Sequence, residues 1–258
     1  MLNQITPVLL TYNEGLNIRQ TLSRLSWAQD IVVVDSGSTD DTVSILKEFP
    51  QVRSFQRSFD THGQQWQFAT QETAIVTPWI LRLDADYRLS DALISEIAAL
   101  DANEPVDAYQ IGFDYAVFST KLGASLYPEN TILLRKGRFA VWNNGHTESW
   151  RIEGPIRKLA AKVVHDDWKT LDRWTNSQLR YSRLELDALS KRSGGLEDWL
   201  RRHPPLMPFA VFLYCLFAKR LILDGKAGLY YTLQRTVAEM LVSLTLLDDV
   251  LRNSKKAD

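Results

Sequence analysis

DIVVVDSGSTDDT, residues 30–42, is the stretch on which the fold turns. IVVVD is short, β-branched and closed by a carboxylate, the pattern of a buried strand. Gly37 permits a tight turn, Ser38 or Thr39 can cap the next helix, and Asp41 stands three residues after Ser38, where a capping box has its acidic member. The reading is strand, turn, helix. That junction accounts for Ser38 to Asp41 and gives Asp35 no task, although an acceptor at a strand end can bind a base N–H or a ribose hydroxyl.

The same unit recurs on either side. TPVLLT (6–11) and WILRLD (79–84) read as strands, and residues 16–25, 39–49 and 64–73 as helices. Strands alternating with helices predict an α/β domain with βαβ units and helices on both faces of the sheet. Ligands of such sheets collect at the carboxyl ends of the strands. TYNE (11–14), DSGSTDD (35–41) and DAD (84–86) all fall at those ends. There Tyr12 can stack on a flat ring, with Asn13 and Glu14 as polar neighbours, although Asn13-Glu14-Gly15 is equally a turn into a helix. From about Asp107 the pattern becomes mixed and partly antiparallel, through DAYQIGFDYAVF, ENTILLRKGRFAVW and KLAAKVVH. From Leu171 onward it is helical, broken at Gly194-Gly195, Pro204-Pro205 and Gly225.

Composition bounds the function. The 258 residues are 45% hydrophobic and 24% charged, and the net charge is −1, so no basic field points to a nucleic-acid partner. Cys215 is the only cysteine, which excludes an intramolecular disulfide and reads as plain core. The first residues lack a basic segment followed by a long apolar one. A cytoplasmic setting is expected.

Asp84-Ala85-Asp86 follows a hydrophobic run, and Ser90 and Asp91 suffice to cap the next helix, so the Asp pair has no evident structural task. Magnesium and manganese take oxygen ligands, commonly one or two carboxylates plus substrate phosphates. The pair suits that chemistry.

TYNE, DIVVVDSGSTDDT and WILRLDAD, in this order and spacing, resemble the donor half of a family 2 glycosyltransferase of the GT-A fold. The resemblance runs over residues 5 to 170 and is closest to bacterial lipopolysaccharide-core and exopolysaccharide β-glycosyltransferases. It implies a Rossmann-like mixed sheet: a catalytic domain over 1–168, with a nucleotide-sugar half (1–105) and an acceptor half (106–168), then a helical region over 169–258. It implies that Thr11, Tyr12 and Glu14 border the base, that Asp35 binds the uracil or ribose side, that Asp84 faces ribose or metal, and that Asp86 holds Mg2+ or Mn2+ on the diphosphate. The Gln–basic–Asn triplet of relatives is here Gln65-Trp66-Gln67, without the basic residue. Tyr87 stands where relatives often have an acid.

Transfer to a hydroxyl needs a base, and similar enzymes carry one in a loop downstream, often just after a histidine. In NNGHTESW that is Glu148, with Thr147 between it and His146; Asp114 is the reserve. His165, ending KLAAKVVH, matches the late histidine that GT-A enzymes set beside the metal. Arg157 and Lys158 either neutralise the leaving diphosphate or form a solvated turn.

Leu206–Ala218 is apolar for about 13 residues, short of the ~20 that a bilayer span needs. Flanked by Arg201, Arg202, Lys219 and Arg220, it suits a helix in a membrane interface or one packed against residues 228–247. Homo-oligomerisation is a further use for this region.

The expectation is an inverting, metal-dependent transferase moving sugar from a nucleotide-sugar, a UDP-sugar, to a glycan or lipid-linked acceptor in cell-surface polysaccharide synthesis. It would work at the inner face of the cytoplasmic membrane. The rivals are a non-catalytic nucleotide- or glycan-binding relative and a sugar-phosphate nucleotidyltransferase, for which TYNEGLNIRQ lacks a Gly-rich loop with lysine. A haloacid-dehalogenase phosphatase is excluded by Arg88, where it needs a hydroxyl.

Overall fold

The computed structural model describes residues 1–144, 147–191, 195–204 and 206–254. His146, Gly194 and Pro205, singled out above, lie outside the described residues. The chain forms two compact units: residues 1–118 with 126–168, and residues 119–125 with 169–258.

The first unit carries strands β1 (Ile5–Thr11), β2 (Ile31–Asp35), β3 (Val52–Gln56), β4 (Trp79–Asp84), β5 (Tyr87–Leu89) and β6 (Ala108–Val117). β7 (Thr120–Lys121) belongs to the second unit. The first unit continues with β8 (Asn130–Arg135), β9 (Phe139–Asn144), β10 (Thr147–Ile152) and β11 (Ile156–His165). Its helices are α1 (Ile18–Ser23), α2 (Thr42–Leu46), α3 (His62–Gln71) and α4 (Asp91–Ala99). The main sheet runs β3-β2-β1-β4-β8-β6-β11-β5, and β9 and β10 form a separate antiparallel pair. β1 to β4 are mutually parallel, β8 runs against β4 and β6, and β5 against β11.

Period-two alternation explains why the parallel strands read as unbroken apolar runs. Val8, Val32, Val34 and Ile80 pack on one face with Trp66 and Ala69 of α3. Their neighbours Leu9, Val33, Leu81 and Leu83 pack on the other with Ile18, Leu22, Leu93 and Ile97. Both faces are covered, and each fully buried leucine contributes roughly 1.5–3 kcal/mol.

One connection shapes the sheet. Three residue steps carry the chain from Asp84 on β4 to Tyr87 on β5, a reach of at most about 11 Å. With β8, β6 and β11 between them, a flat sheet would separate the two strands by roughly 19 Å. The sheet therefore curls, and the Asp84-Ala85-Asp86 turn closes the gap.

Four strands, β3, β5, β7 and β10, escaped the sequence reading, and Glu148, expected in a loop, stands on β10. β3 carries Arg53, Ser54 and Gln56 and is half-exposed at the sheet edge, so it has no apolar run. β5 is only three residues long. The second helix begins at Thr42 rather than Thr39, without a side-chain cap from Asp41. Asp40 Oδ1 instead accepts the Thr42 N–H, while Ser38 is engaged elsewhere. Ser90 caps α4, its Oγ accepting the Leu93 N–H.

The second unit contains α5 (Leu171–Lys191), α6 (Leu196–Arg201), α7 (Leu206–Leu213) and α8 (Gly225–Ser254). No single helix among the described residues is long and apolar enough to cross a membrane. Leu206–Ala218 and Leu221–Arg252 pass that length test only as a pair bent by 72°. Leu206–Ala218 proves half-buried: Val211 and Cys215 face inward while Phe209 and Phe217 are exposed. Arg201 is tied to Glu185 and Glu239 and so is no free flanking cation.

Candidate functional site

Three loops meet at the carboxyl ends of β1, β2 and β4. The first two are laced together. Asn13 adopts a left-handed backbone (φ 56°), its N–H donates to Ser38 Oγ, and its Oδ1 accepts the Thr39 N–H, each at 2.7 Å. The Glu14 N–H donates to Thr42 Oγ1, and Glu14 Oε2 accepts from Asn17. Asn17, buried, also donates to Asp167 at 3.0 Å, which joins the TYNE loop to the end of β11. Tyr12 is 55% exposed beside this lattice.

Asp35 has a structural task that the sequence did not reveal. Its Oδ1 accepts from Thr11 Oγ1 (2.9 Å) and Ser38 Oγ (2.5 Å), and its Oδ2 from the N–H groups of Gly37 (3.0 Å) and Ser38 (2.8 Å). A carboxylate has about four acceptor positions, so the loop fills them. Asp35→Asn should therefore cost about 1–3 kcal/mol, measured by urea denaturation, because an amide nitrogen must face donors it cannot accept from. An unchanged midpoint would deny Asp35 this role.

Gln65, fully buried on α3, donates to Ser36 Oγ at 2.9 Å and accepts from Arg57. Arg57, placed just after β3 and gripped by Asp60, brings a cation to the same loops that the sequence reading did not single out.

The third loop is the Asp84–Asp86 turn. Thr21 Oγ1 donates to the Ala85 carbonyl at 2.7 Å, and the Asp166 N–H donates to the Asp86 carbonyl at 3.1 Å. His165 Nε2 lies 3.3 Å from Asp86 Oδ2, and both side chains are buried. Tyr127, Tyr115 and Tyr87 surround the imidazole, with ring centroids 4.4, 4.8 and 5.4 Å away. Burial alone would lower the His165 pKa, but Asp86, by charge and hydrogen bond, and Asp84 outweigh it, so the imidazole holds its proton more tightly than usual. The Asp84 carboxyl is pushed up by desolvation and by Asp86, against Arg82 and a Tyr87 hydrogen bond. The turn thus concentrates negative charge that a cation would relieve.

Asp84 and Glu148 both line a cavity of about 520 Å³. Arg82, a buried arginine inside strand β4, lines it too. Its Nη1 donates to Glu148 Oε1 at 3.1 Å, and its guanidinium lies over the Trp150 ring at 4.6 Å. Trp66, in the position where a basic residue was expected, is buried with its ring 5.6 Å from Trp150 and 5.9 Å from the Arg82 guanidinium. It anchors β9 and β10 on α3, helped by Gln67, which donates to the Val141 carbonyl.

Three candidates, Arg157, Lys158 and Asp114, do not line this cavity. Arg157 lies at the amino end of β11, eight residues from His165 and so roughly 25 Å along the strand, where it is half-exposed and pairs with Glu104. It does not itself line the cavity, although its neighbour Ile156 does. Lys158 next to it pairs with Glu129. Asp114 pairs with Lys162 at 3.2 Å and does not line the cavity.

Among the described residues no three His, Cys, Asp or Glu side chains are disposed to hold a metal ion by themselves. Asp86 and His165 are an adjacent pair, with Asp84 at the cavity edge. This donor set fits a hard cation that brings phosphate oxygens with it, for which one or two carboxylates suffice.

Comparison with known proteins agrees with this architecture. The fold is similar to the crystal structure of S. aureus TarS residues 1–349, with a TM-score of 0.50 and 13% identity over 93% of this chain and 90% of that one. The chain is 25% identical over 199 residues to the lipopolysaccharide core biosynthesis glycosyltransferase LpsC of Rhizobium meliloti, covering 71% of this chain and 70% of LpsC. An uncharacterized glycosyltransferase of Rickettsia felis is 33% identical over 109 residues, 42% of this chain; the chain thus matches only 38% of that relative's length. The pattern described as Glycosyl transferase family 2 matches residues 7–158, from β1 into β11, and so takes in the laced loops, the Asp84–Asp86 turn and Glu148. This GT-A-type chain is a member of glycosyl transferase family 2.

Proposed function

We propose that this chain is an inverting, metal-dependent glycosyltransferase that uses a UDP-sugar donor and a glycan or glycolipid acceptor in the assembly of bacterial lipopolysaccharide or a related surface polysaccharide. One observation carries the reading: a single cavity is lined by both Asp84 of the Asp84–Asp86 turn and Glu148. The nucleotide would lie over the laced loops, with Tyr12 against the base and Thr11, Asn13, Glu14, Asp35 and Gln65 shaping its bed. Asp86, His165 and Asp84 would hold Mg2+ or Mn2+ with the diphosphate. Bound there, the ion supplies positive charge to the leaving diphosphate. Glu148 takes the proton of the acceptor hydroxyl, whose oxygen attacks the anomeric carbon on the side opposite the leaving group. An α-linked donor then gives a β-linked product.

The likeness to LpsC supports the pathway and acceptor class. TarS has been crystallised in complex with UDP, which makes UDP the first nucleotide to test. Exposed Phe209, Leu213 and Phe217 support contact of the helical unit with a membrane interface or a second copy of the chain.

The test is calorimetric titration of UDP with and without Mn2+. Wild type should bind UDP only with the metal, and Asp86→Ala should weaken binding at least about tenfold, the loss of roughly 1.4 kcal/mol. Failure of UDP, GDP and dTDP alike in the presence of Mn2+ would turn the reading to a non-catalytic glycan-binding protein.

A further inference from the structure

Arg82 has no role in the function as stated so far, yet an arginine inside a buried strand needs one. Burying a guanidinium costs several kcal/mol unless every donor is matched, and here each nitrogen is. Nε donates to the Thr131 carbonyl at 3.0 Å, Nη2 to Asn130 Oδ1 at 2.6 Å and Nη1 to Glu148 Oε1 at 3.1 Å. The plane rests on Trp150, with Trp66 on a further side. Two strands and two aromatic rings fix this cation before any ligand arrives.

What it fixes is one oxygen of Glu148. The Trp150 indole N–H also donates to Oε1, at 3.4 Å, so among the described residues both hydrogen bonds to this carboxylate end on the same atom. Neither bond engages Oε2 of this cavity-lining side chain. A carboxylate held in this way has one oxygen assigned to structure and the other left for chemistry.

We infer that Arg82 is the positioning residue of the transferase: it clamps Oε1 of Glu148, orients the side chain, and leaves Oε2 to receive the acceptor's proton. The inference rests on the reading of Glu148 as base. It differs from a plain structural tie because removing the clamp should slow turnover without weakening donor binding.

The test uses full-length wild type, Arg82→Gln, Arg82→Lys, Glu148→Gln and the Arg82→Gln/Glu148→Gln double variant. In the ligand-free protein the Glu148 carboxyl is followed by carbon-13 NMR, its signal assigned by its absence in Glu148→Gln. Arg82→Gln should shift and broaden that signal as the side chain loses its single orientation, and Arg82→Lys should do so less. An unchanged signal overturns the inference, whichever sugar the enzyme uses. With UDP-glucose as the probe donor, UDP release gives the second readout. Arg82→Gln should lower kcat about 10–100-fold with the donor KM little changed, and Arg82→Lys should recover part of the loss. The double variant should be no slower than Glu148→Gln. If Glu148→Gln turns over like wild type, the base assignment falls. If Glu148→Gln is slow and Arg82→Gln is not, the base stands and the inference about Arg82 is wrong.

Discussion

Glu148→Gln is expected to slow sugar transfer by about 10²–10⁴-fold, the usual contribution of a positioned general base. Glutamine keeps the shape of the side chain and offers an oxygen to Arg82 and to the Trp150 indole, so the wall of the cavity should survive. What disappears is the negative charge and the ability to take a proton. The stability cost should stay within about 1.5–3 kcal/mol, the value of a hydrogen bond to a charged group. Calorimetry should give the same UDP affinity as wild type, because none of the laced donor loops touches Glu148. Product formation from a labelled donor, run beside a thermal melt, separates the two effects. Undiminished transfer would remove Glu148 from the mechanism. Asp114 is a poor substitute, being held by Lys162 away from the cavity.

Asp166→Ala should be the most destabilising of the changes considered. The Asp166 side chain is fully buried, and its Oδ2 accepts from Arg88 at 2.7 Å and from the Trp168 indole at 2.9 Å. Removing one partner of a buried pair typically costs about 3–5 kcal/mol. Arg88 is about a quarter exposed and also donates to Gln20, so water and Gln20 recover part of the loss and the lower end, about 3 kcal/mol, is expected. In a domain of this size that is a fall in melting temperature of about 6–12 °C. Asp166→Asn, which can still accept from the indole, should lose less. A melting temperature within a degree of wild type would show that the pair contributes nothing. Alanine keeps the backbone N–H that holds the Asp86 carbonyl, but loosening the segment that carries it should also weaken metal-dependent UDP binding.

The donor half of the domain was legible because its signals are local. Buried parallel strands make apolar runs such as IVVVD and WILRLD, and the polar loops that follow them in sequence also meet in space. Signals failed where the partner is remote. Asp35 was expected to bind the base or ribose, and its four bonds within the loops were not foreseen, because Thr11 comes from another strand and the Ser38 contact depends on how the loop folds. Arg157 was drawn towards the diphosphate by its charge, yet at the amino end of β11 it pairs with Glu104, a partner no local pattern contains. Arg82 did carry a readable signal: a cation in the middle of an apolar strand must be satisfied by something. What satisfied it, Glu148 at a separation of 66 residues, no local pattern contains. Trp66 was legible only as a missing cation; its packing on Trp150 makes it an anchor.

The turn that closes the curled sheet also sets an order of events in the making of the protein. Asp86 meets His165 and the Asp166 N–H, partners 79 and 80 positions later in the chain. A ribosome that has released β1 to β4 has delivered the laced loops, with strands β1, β2 and β4 able to pair. It has delivered nothing for the Asp86 end to close upon. That end comes into being only when β11 has emerged and docked, so a nascent or prematurely terminated chain holds the bed for a nucleotide without the means to use it. Reactivity is thereby reserved for the finished molecule.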